Sequence, residues 1–327
     1  MARSSLPLRL LPLALALQAI HAPAQAANYT VANGTTDTSA KTLTKNSADT
    51  ITVNAGGTLA SGSAATIRTS QDNDNLSTVT INNAGTIGQN SGLTAISINH
   101  KKVNLILNNA AGGVITSSSS SAKTPTILIG KGSDTFSIVN LGTISQTGPT
   151  PTNADNGKNY AINANGDYST AGNTIVNGSA SNSSATISSS SSSAIKMGSN
   201  ILLTNYGRIF TTSPVNTSCP DYLSACASGS PPKAADGISI DDGIRNAVIV
   251  NYGSITGARH GIDGGDPVAA TPDSNLANAI QLTPRLSATG ITFDATYADG
   301  STRSNVAISN NVVINQAGGV ITGNNGS

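Results

Sequence analysis

The densest set of residues able to do acid–base chemistry lies between positions 236 and 266. It comprises Asp236, Asp241, Asp242, Arg245, Arg259, His260, Asp263 and Asp266. Paired carboxylates beside a histidine are the groups that glycoside hydrolysis requires, one as acid and one as base or nucleophile. The same residues fall inside a repeated unit, where Asp and His are ordinary turn residues. The expectation is therefore a set of solvated turn side chains and no catalytic residue. Changing Asp241 and Asp242 together is expected to leave function intact. A second candidate is GKGSDTF at Gly130–Phe136, which has the G-x-G-x-D-x-F form of a calcium nonapeptide. Calcium rolls need successive stacked copies, and one copy reads instead as a turn. Three His, one of them His21 near the N-terminus, leave little room for a Ser–His–Asp triad. The sequence has no G-x-S-x-G elbow and no Walker loop. No cofactor and no metal site is expected.

The composition narrows the elements that could position such groups. Of 327 residues, 10% are charged and 3% aromatic, against about 25% charged in an ordinary soluble domain. Lys and Arg number 17 against 16 Asp and Glu, so no basic field is available to hold nucleic acid. Two cysteines exclude a many-disulfide scaffold and a structural zinc domain. The chain is crowded with Ser, Thr, Asn, Gly and Ala. Such a composition is either disordered or a repetitive β-structure, and regularly spaced Ile, Val and Leu select the second.

One pattern recurs: an aliphatic residue, a spacer, Asn, a spacer, Gly, a spacer, Ile. It reads INNAGTI at Ile81–Ile87, IVNLGTI at Ile138–Ile144, LTNYGRI at Leu203–Ile209 and IVNYGSI at Ile249–Ile255. The motif pairs are Asn83 and Gly85, Asn140 and Gly142, Asn205 and Gly207, and Asn251 and Gly253. Looser copies are VNAGGTL at Val53–Leu59, LNNAAGGVI at Leu107–Ile115 and INQAGGVI at Ile314–Ile321. The glycines step by 28, 28, 29, 65, 46 and 66 residues, and a degenerate copy at Ile175–Asn177 splits the 65. A second signal, AISI at Ala95–Ile98, TILI at Thr126–Ile129, AIKM at Ala194–Met197 and GISI at Gly237–Ile240, alternates as a half-buried strand does.

A 28-residue unit of short strands cannot bury its apolar stripe alone. Stacked units can, with parallel strands about 4.8 Å apart and one continuous aliphatic column. The predicted fold is all-β, a right-handed parallel β-helix with coils of about 28 residues, since parallel crossovers are nearly always right-handed. The motif Gly serves either a positive-φ turn or close backbone approach. The motif Asn either stacks its amide on the next coil's Asn or takes the left-handed turn position. The serine runs Ser117–Ser121 and Ser188–Ser193 read as polar loop or low-complexity strand.

The ends and interruptions divide the chain. Arg3 and Arg9, the apolar run Leu10–Ile20 and the small-residue site around Ala24 and Ala26 form a secretory signal peptide, residues 1–26, cleaved between Ala26 and Ala27. The mature chain then carries 15 basic and 16 acidic residues. Residues 27–50 read as an N-terminal cap and 51–327 as the repeats. The 46 step places an insertion at 212–235 that holds Cys219 and Cys226, seven residues apart. In an exported chain these two are expected to form a disulfide within the loop. Intact mass with and without reductant and alkylation checks this. The 66 step has room for another coil plus an insertion at 266–305.

The segment GISIDDGIRNAVIVNYGSITGARHGIDGG, Gly237–Gly265, resembles the repeats in passenger regions of type V autotransporters of Gram-negative bacteria. ILIGKGSDTFSIVNLGTI and AISINHKKVNLILNNAAGGVI resemble further copies, so the likeness runs from about Ile51 to Thr322. It implies an exposed β-helix at the cell surface, outer-membrane-associated or extracellular, acting as an adhesin or interaction stalk. It implies as partners host or bacterial surface glycans or proteins, with self-association along the ridge. It also implies a translocator β-barrel of about 12 strands, expected downstream of the final INQAGGVI copy. Two alternatives are a carbohydrate-active β-helix enzyme and a structural spacer. The adjacent aspartates followed by a histidine are faintly similar to polygalacturonases, but the flanking NTD, GHG and RIK elements are missing, and few aromatics are present to stack sugars.

Overall fold

The computed structural model describes residues 26–43, 48–69, 77–89, 92–99, 102–118, 124–130, 135–148, 159–168, 172–212, 235–241, 244–264, 279–287, 290–297, 299–307 and 311–323. Among them there is no helix. Three long sheets run the length of the molecule. Sheet A holds nine strands, from Asn28–Val31 to Val312–Asn315, and sheet B nine, from Thr36–Asp37 to Val320–Gly323. Sheet C holds eight, from Lys41–Leu43 to Ile262–Asp263. Neighbours in each sheet come from successive coils and pair in parallel, which makes a right-handed parallel β-helix. Within the region read as a cap, Asn28–Val31, Thr36–Asp37 and Lys41–Leu43 pair in parallel with strands of the next coil.

The alternation read from the sequence becomes an inside and an outside. Strand Ser77–Asn83 buries every second residue, and so does Val103–Asn109 at Val103, Leu105, Leu107 and Asn109. The register stacks like on like: Ile81 pairs with Leu107 and Leu107 with Ile138 in sheet A. In sheet B, Ile87 pairs with Ile115 and Ile115 with Ile144. Fixing a 28-residue coil costs about 1–2 kcal/mol per residue in backbone entropy, and burying an aliphatic side chain returns only about 1.5–3 kcal/mol. A few inward side chains per coil therefore make sense only with neighbours above and below.

The motif asparagines are buried and form a ladder through the core edge of sheet A. Each Nδ2 donates to the Oδ1 of the next coil: Asn83 to Asn109 at 2.7 Å, Asn109 to Asn140 at 2.7 Å, Asn140 to Asn177 at 2.8 Å. The run continues from Asn177 to Asn205, Asn205 to Asn251 and Asn251 to Asn315, each at 2.8 Å. The second N–H of each donor reaches a carbonyl on the next coil, such as Thr186 from Asn140 at 3.0 Å. The left-handed role belongs to other asparagines, Asn200 and Asn246, with φ of 58° and 57° at the turn from sheet C to sheet A.

The ladder starts abruptly. Asn83 pairs in register with Val53, which has no amide to offer, and the buried Asn83 Oδ1 has no hydrogen-bond partner. Val53→Asn is expected to add the missing rung and raise stability by about 1 kcal/mol. The urea midpoint is the measurement, and a lower midpoint than the parent's would contradict this account of the orphaned oxygen.

Two expectations about the interruptions change. The step from Gly253 to Gly319 contains no extra coil, because Val248–Asn251 pairs directly with Val312–Asn315 and Ser254–Gly257 with Val320–Gly323. Nor is its insertion merely a loop. Ala279–Ser287, Gly290–Tyr297 and Thr302–Ala307 form a three-stranded antiparallel sheet. Pro284 is tolerated because its strand is an edge. Ile291 and Phe293 pack on Val248 and Val250, on the outer face of sheet A. That is why Val248–Asn251 is buried on both faces. Phe293→Leu is expected to cost about 1 kcal/mol. Its effect should stay local, with faster amide exchange in 279–307 and unchanged exchange in the ladder coils.

The run Ser188–Ser193 is an ordered corner between sheets B and C. Ser189 Oγ donates to the Asn159 carbonyl at 2.8 Å and Ser191 Oγ to Gln146 Oε1 at 3.0 Å. Of the other run, Ser117 and Ser118 are described, and Ser117 Oγ shares a hydrogen bond with Thr126 Oγ1 at 2.9 Å. One coil beyond Ser188–Ser193, at the same corner, strand Arg208–Thr211 of sheet B ends and the chain is next described from Ala235, with residues 213–234 outside the described residues. Cys219 and Cys226 lie outside the described residues, as do residues 1–25, which hold most of the expected signal peptide.

Candidate functional site

The acidic set does not converge. It divides between the two ends of sheet C, with Asp242 and Asp266 outside the described residues. Arg245 stands at the turn back to sheet A, its amide donating to Ser199 Oγ at 3.2 Å.

Asp236 lies where the chain returns from the insertion at 212–235, and it is buried. Arg259, one coil on, clamps it with two parallel bonds, Nε to Oδ1 at 3.1 Å and Nη2 to Oδ2 at 3.0 Å. The His260 amide adds a third bond at 3.2 Å, and His260 Nδ1 lies 3.3 Å from Oδ1. Arg259 Nη2 also meets Asp263 at 2.5 Å. Burial lowers the Arg259 pKa, but Asp236 and Asp263 more than offset it, so the guanidinium is held above its ordinary value. Asp236, His260 and Asp263 offer ligand atoms within 4.8 Å of one another, a candidate cation cluster. The guanidinium already satisfies the two carboxylates there. The arrangement refastens the corner after a long insertion and leaves no carboxylate pair free for acid and base roles.

Asp241 faces outward from the other end of sheet C, in a pocket of about 300 Å³. Parallel register makes the pocket. The outward column runs Leu128, Asn163, Lys196, Ser239 along four coils. Two residues further along each strand come Gly130, Asn165, Gly198 and Asp241. Glycine opens the floor: a Cβ on Gly130 would stand 2.3 Å from Asn99 Oδ1, and one on Gly198 would stand 2.1 Å from the Gly166 carbonyl. Lys196 Nζ forms an ion pair with Asp241 Oδ1 and lies 5.7 Å from the centre of the Tyr160 ring. Asn165 Nδ2 donates to Asp241 Oδ2 at 2.8 Å. Burial lowers the Lys196 pKa, but Tyr160 and Asp241 more than compensate, so the ammonium stays charged. Burial also raises the Tyr160 hydroxyl.

The pocket is electrically balanced, one ammonium against one carboxylate, and rich in carboxamides. Asn163 Oδ1 accepts from the Asn165 amide at 3.1 Å, which leaves its Nδ2 to act as a donor. Asn99 is exposed. Neutral donors and acceptors on a rigid floor suit a polar, uncharged ligand group. Sequence reading named Asp241 but missed Asn99, Asn163, Asn165, Lys196 and Tyr160. The available signal was the outward position of each sheet C strand, in AISINH, AINANG, AIKMGS and GISIDD.

A separate exposed feature marks the turn from sheet A to sheet B. Tyr206 and Tyr252, the variable residues of two N-x-G motifs, stack with centroids 4.7 Å apart and planes within 6°. The chain matches no protein-family model, no curated protein and no solved structure.

Proposed function

We propose that this chain is an exported β-helical stalk of the cell surface that makes adhesive contacts through its outward faces. The observation that supports the reading is the length of uninterrupted coil. Nine coils stack in one solenoid and seven of them carry the asparagine ladder, with the charged clusters engaged in ion pairs. Such a body is stiff, and its outer surface repeats with every coil. The sheet C pocket is a polar part of that surface suited to hold a ligand group, and the stalk's partners are surface glycans or proteins.

The test displays the chain on a bacterial surface and counts adherent host cells and self-aggregated bacteria. Adhesion above a strain without the chain is expected, and Asn99→Ala with Asn163→Ala should reduce it. Thr80→Ala, on the outer face of sheet A, should not. No adhesion and no aggregation from a displayed, folded chain would favour the spacer reading. Cleavage of a polysaccharide, lost in Asp241→Asn, would favour the enzyme.

A further inference from the structure

One charged residue occupies a core position. Asp49 stands in register with Val79, which pairs with Leu105, which pairs with Phe136. All four point inward, and Asp49 is 1% exposed. Burying a carboxylate among aliphatic neighbours is costly unless donors or a cation meet it. One of its donors is the backbone nitrogen of Ala27, 2.8 Å from Asp49 Oδ1. Ala27 is fixed there by a second bond, since its carbonyl accepts from the Thr50 amide at 2.9 Å. Ala26, immediately before it, is exposed.

The expected cleavage site falls between these two residues. Hydrolysis of the Ala26–Ala27 peptide bond adds one water, leaving a carboxylate on Ala26 and an α-amine on Ala27 that takes up a proton near neutral pH. We infer that maturation converts the Ala27 amide into an ammonium ion paired with buried Asp49, so that removal of the leader fastens the first coil. Before cleavage, the same nitrogen offers the carboxylate one neutral N–H. Afterwards it offers a full positive charge and further donors, and charge-assisted bonds are roughly twice as strong.

The device sits where the fold needs it. Among the described residues the first coil has strands on one side only, and the ladder position is held by Val31 and, on the next coil, by Val53, neither of which has a side-chain amide. Asparagine rungs begin only at Asn83. A charge pair at the rim replaces the missing fastening.

The inference rests on the export reading, and the test separates the two. The exported chain is purified and its N-terminus read by mass. Amide exchange of residues 28–43 is then compared in four full-length chains. Two begin at Ala27 and two at Gln25, and each start is made with the parent Asp49 and with Asp49→Asn, which keeps an acceptor for Ala27. The expected result is an N-terminus at Ala27 and first-coil opening about tenfold rarer in the Ala27 chain than in the Gln25 chain. That ratio should collapse to near unity in the Asp49→Asn pair. Export with a different N-terminus, or the same ratio in both backgrounds, overturns the ion pair and leaves export standing. An unprocessed chain retained in the cell overturns both.

Discussion

Asn140→Asp will cost about 4 kcal/mol at neutral pH, the largest loss expected from any single isosteric change in the molecule. Asn140 is fully buried in the middle of the ladder. Its Oδ1 accepts from Asn109, and its Nδ2 donates to Asn177 Oδ1 and to the Thr186 carbonyl. Aspartate keeps the acceptor and removes both donors. It sets a charged oxygen against two oxygens that stood 2.8 and 3.0 Å from the nitrogen. Protonation restores one donor, so the introduced carboxyl will have a folded pKa raised above its unfolded value of about 3.9. A group of that kind contributes stability below its unfolded pKa and loses it as pH rises through the folded one. The gap between variant and parent will therefore narrow as pH falls from 7 toward 4. Asn140→Ala removes the same bonds without a charge, and it should cost about 2–3 kcal/mol with no such pH dependence. Urea midpoints for the three chains at both pH values decide the matter. Equal losses for Asp at pH 7 and pH 4 would show that the rung's donors are not what the ladder contributes.

Much of this arrangement is legible in the residue pattern, and the limits have physical causes. Asn, Gly and Ile at fixed offsets mark the turn from sheet A to sheet B because three requirements meet there: an amide rung, a bare Cα and an inward side chain. The run Ala247–Val250 breaks the usual alternation, and it does so because the antiparallel sheet covers its outer face. That covering sheet is harder to read. LTPRLS and ITFDATY alternate like any strand, but they fall outside the coil period, so a search for coils passes over them. The sheet C pocket is harder still. Asn99, Asn163, Lys196 and Asp241 each look like ordinary outward polar residues, spaced by tens of positions. Only the parallel register, which stacks coils whose lengths differ with their insertions, brings them to one floor. Asp236 shows the converse. It stood out as a candidate acid, yet its environment is set by Arg259 on the next coil, a partner that no local pattern identifies.

The glycines of the coils will differ by environment under alanine substitution, and Gly142→Ala, at the motif position, will be the severe case. Its added Cβ would stand 2.2 Å from the Gly113 carbonyl oxygen and 2.6 Å from that of Ala110. Both are backbone atoms of the preceding coil and cannot rotate away. Relief requires the coils to separate, which lengthens the ladder bonds flanking Asn140. The loss should reach or exceed the upper end of the roughly 1–3 kcal/mol usual for overpacking. Gly112 is the opposite kind. A Cβ there meets nothing within 4 Å, but its φ is +83°, so Gly112→Ala should cost about 1–2 kcal/mol from backbone strain alone. Gly88 is neither: its Cβ would lie 3.7 Å from Ala60 Cβ, an ordinary contact, with no positive φ. Gly88→Ala should change stability by about 0.5 kcal/mol or less, as most benign substitutions do. The expected order of urea midpoints is Gly88→Ala, then Gly112→Ala, then Gly142→Ala. A Gly142→Ala chain as stable as Gly88→Ala would mean that the coils can part at this corner without loss. In that case the recurrent glycine of the motif would need a reason other than close approach.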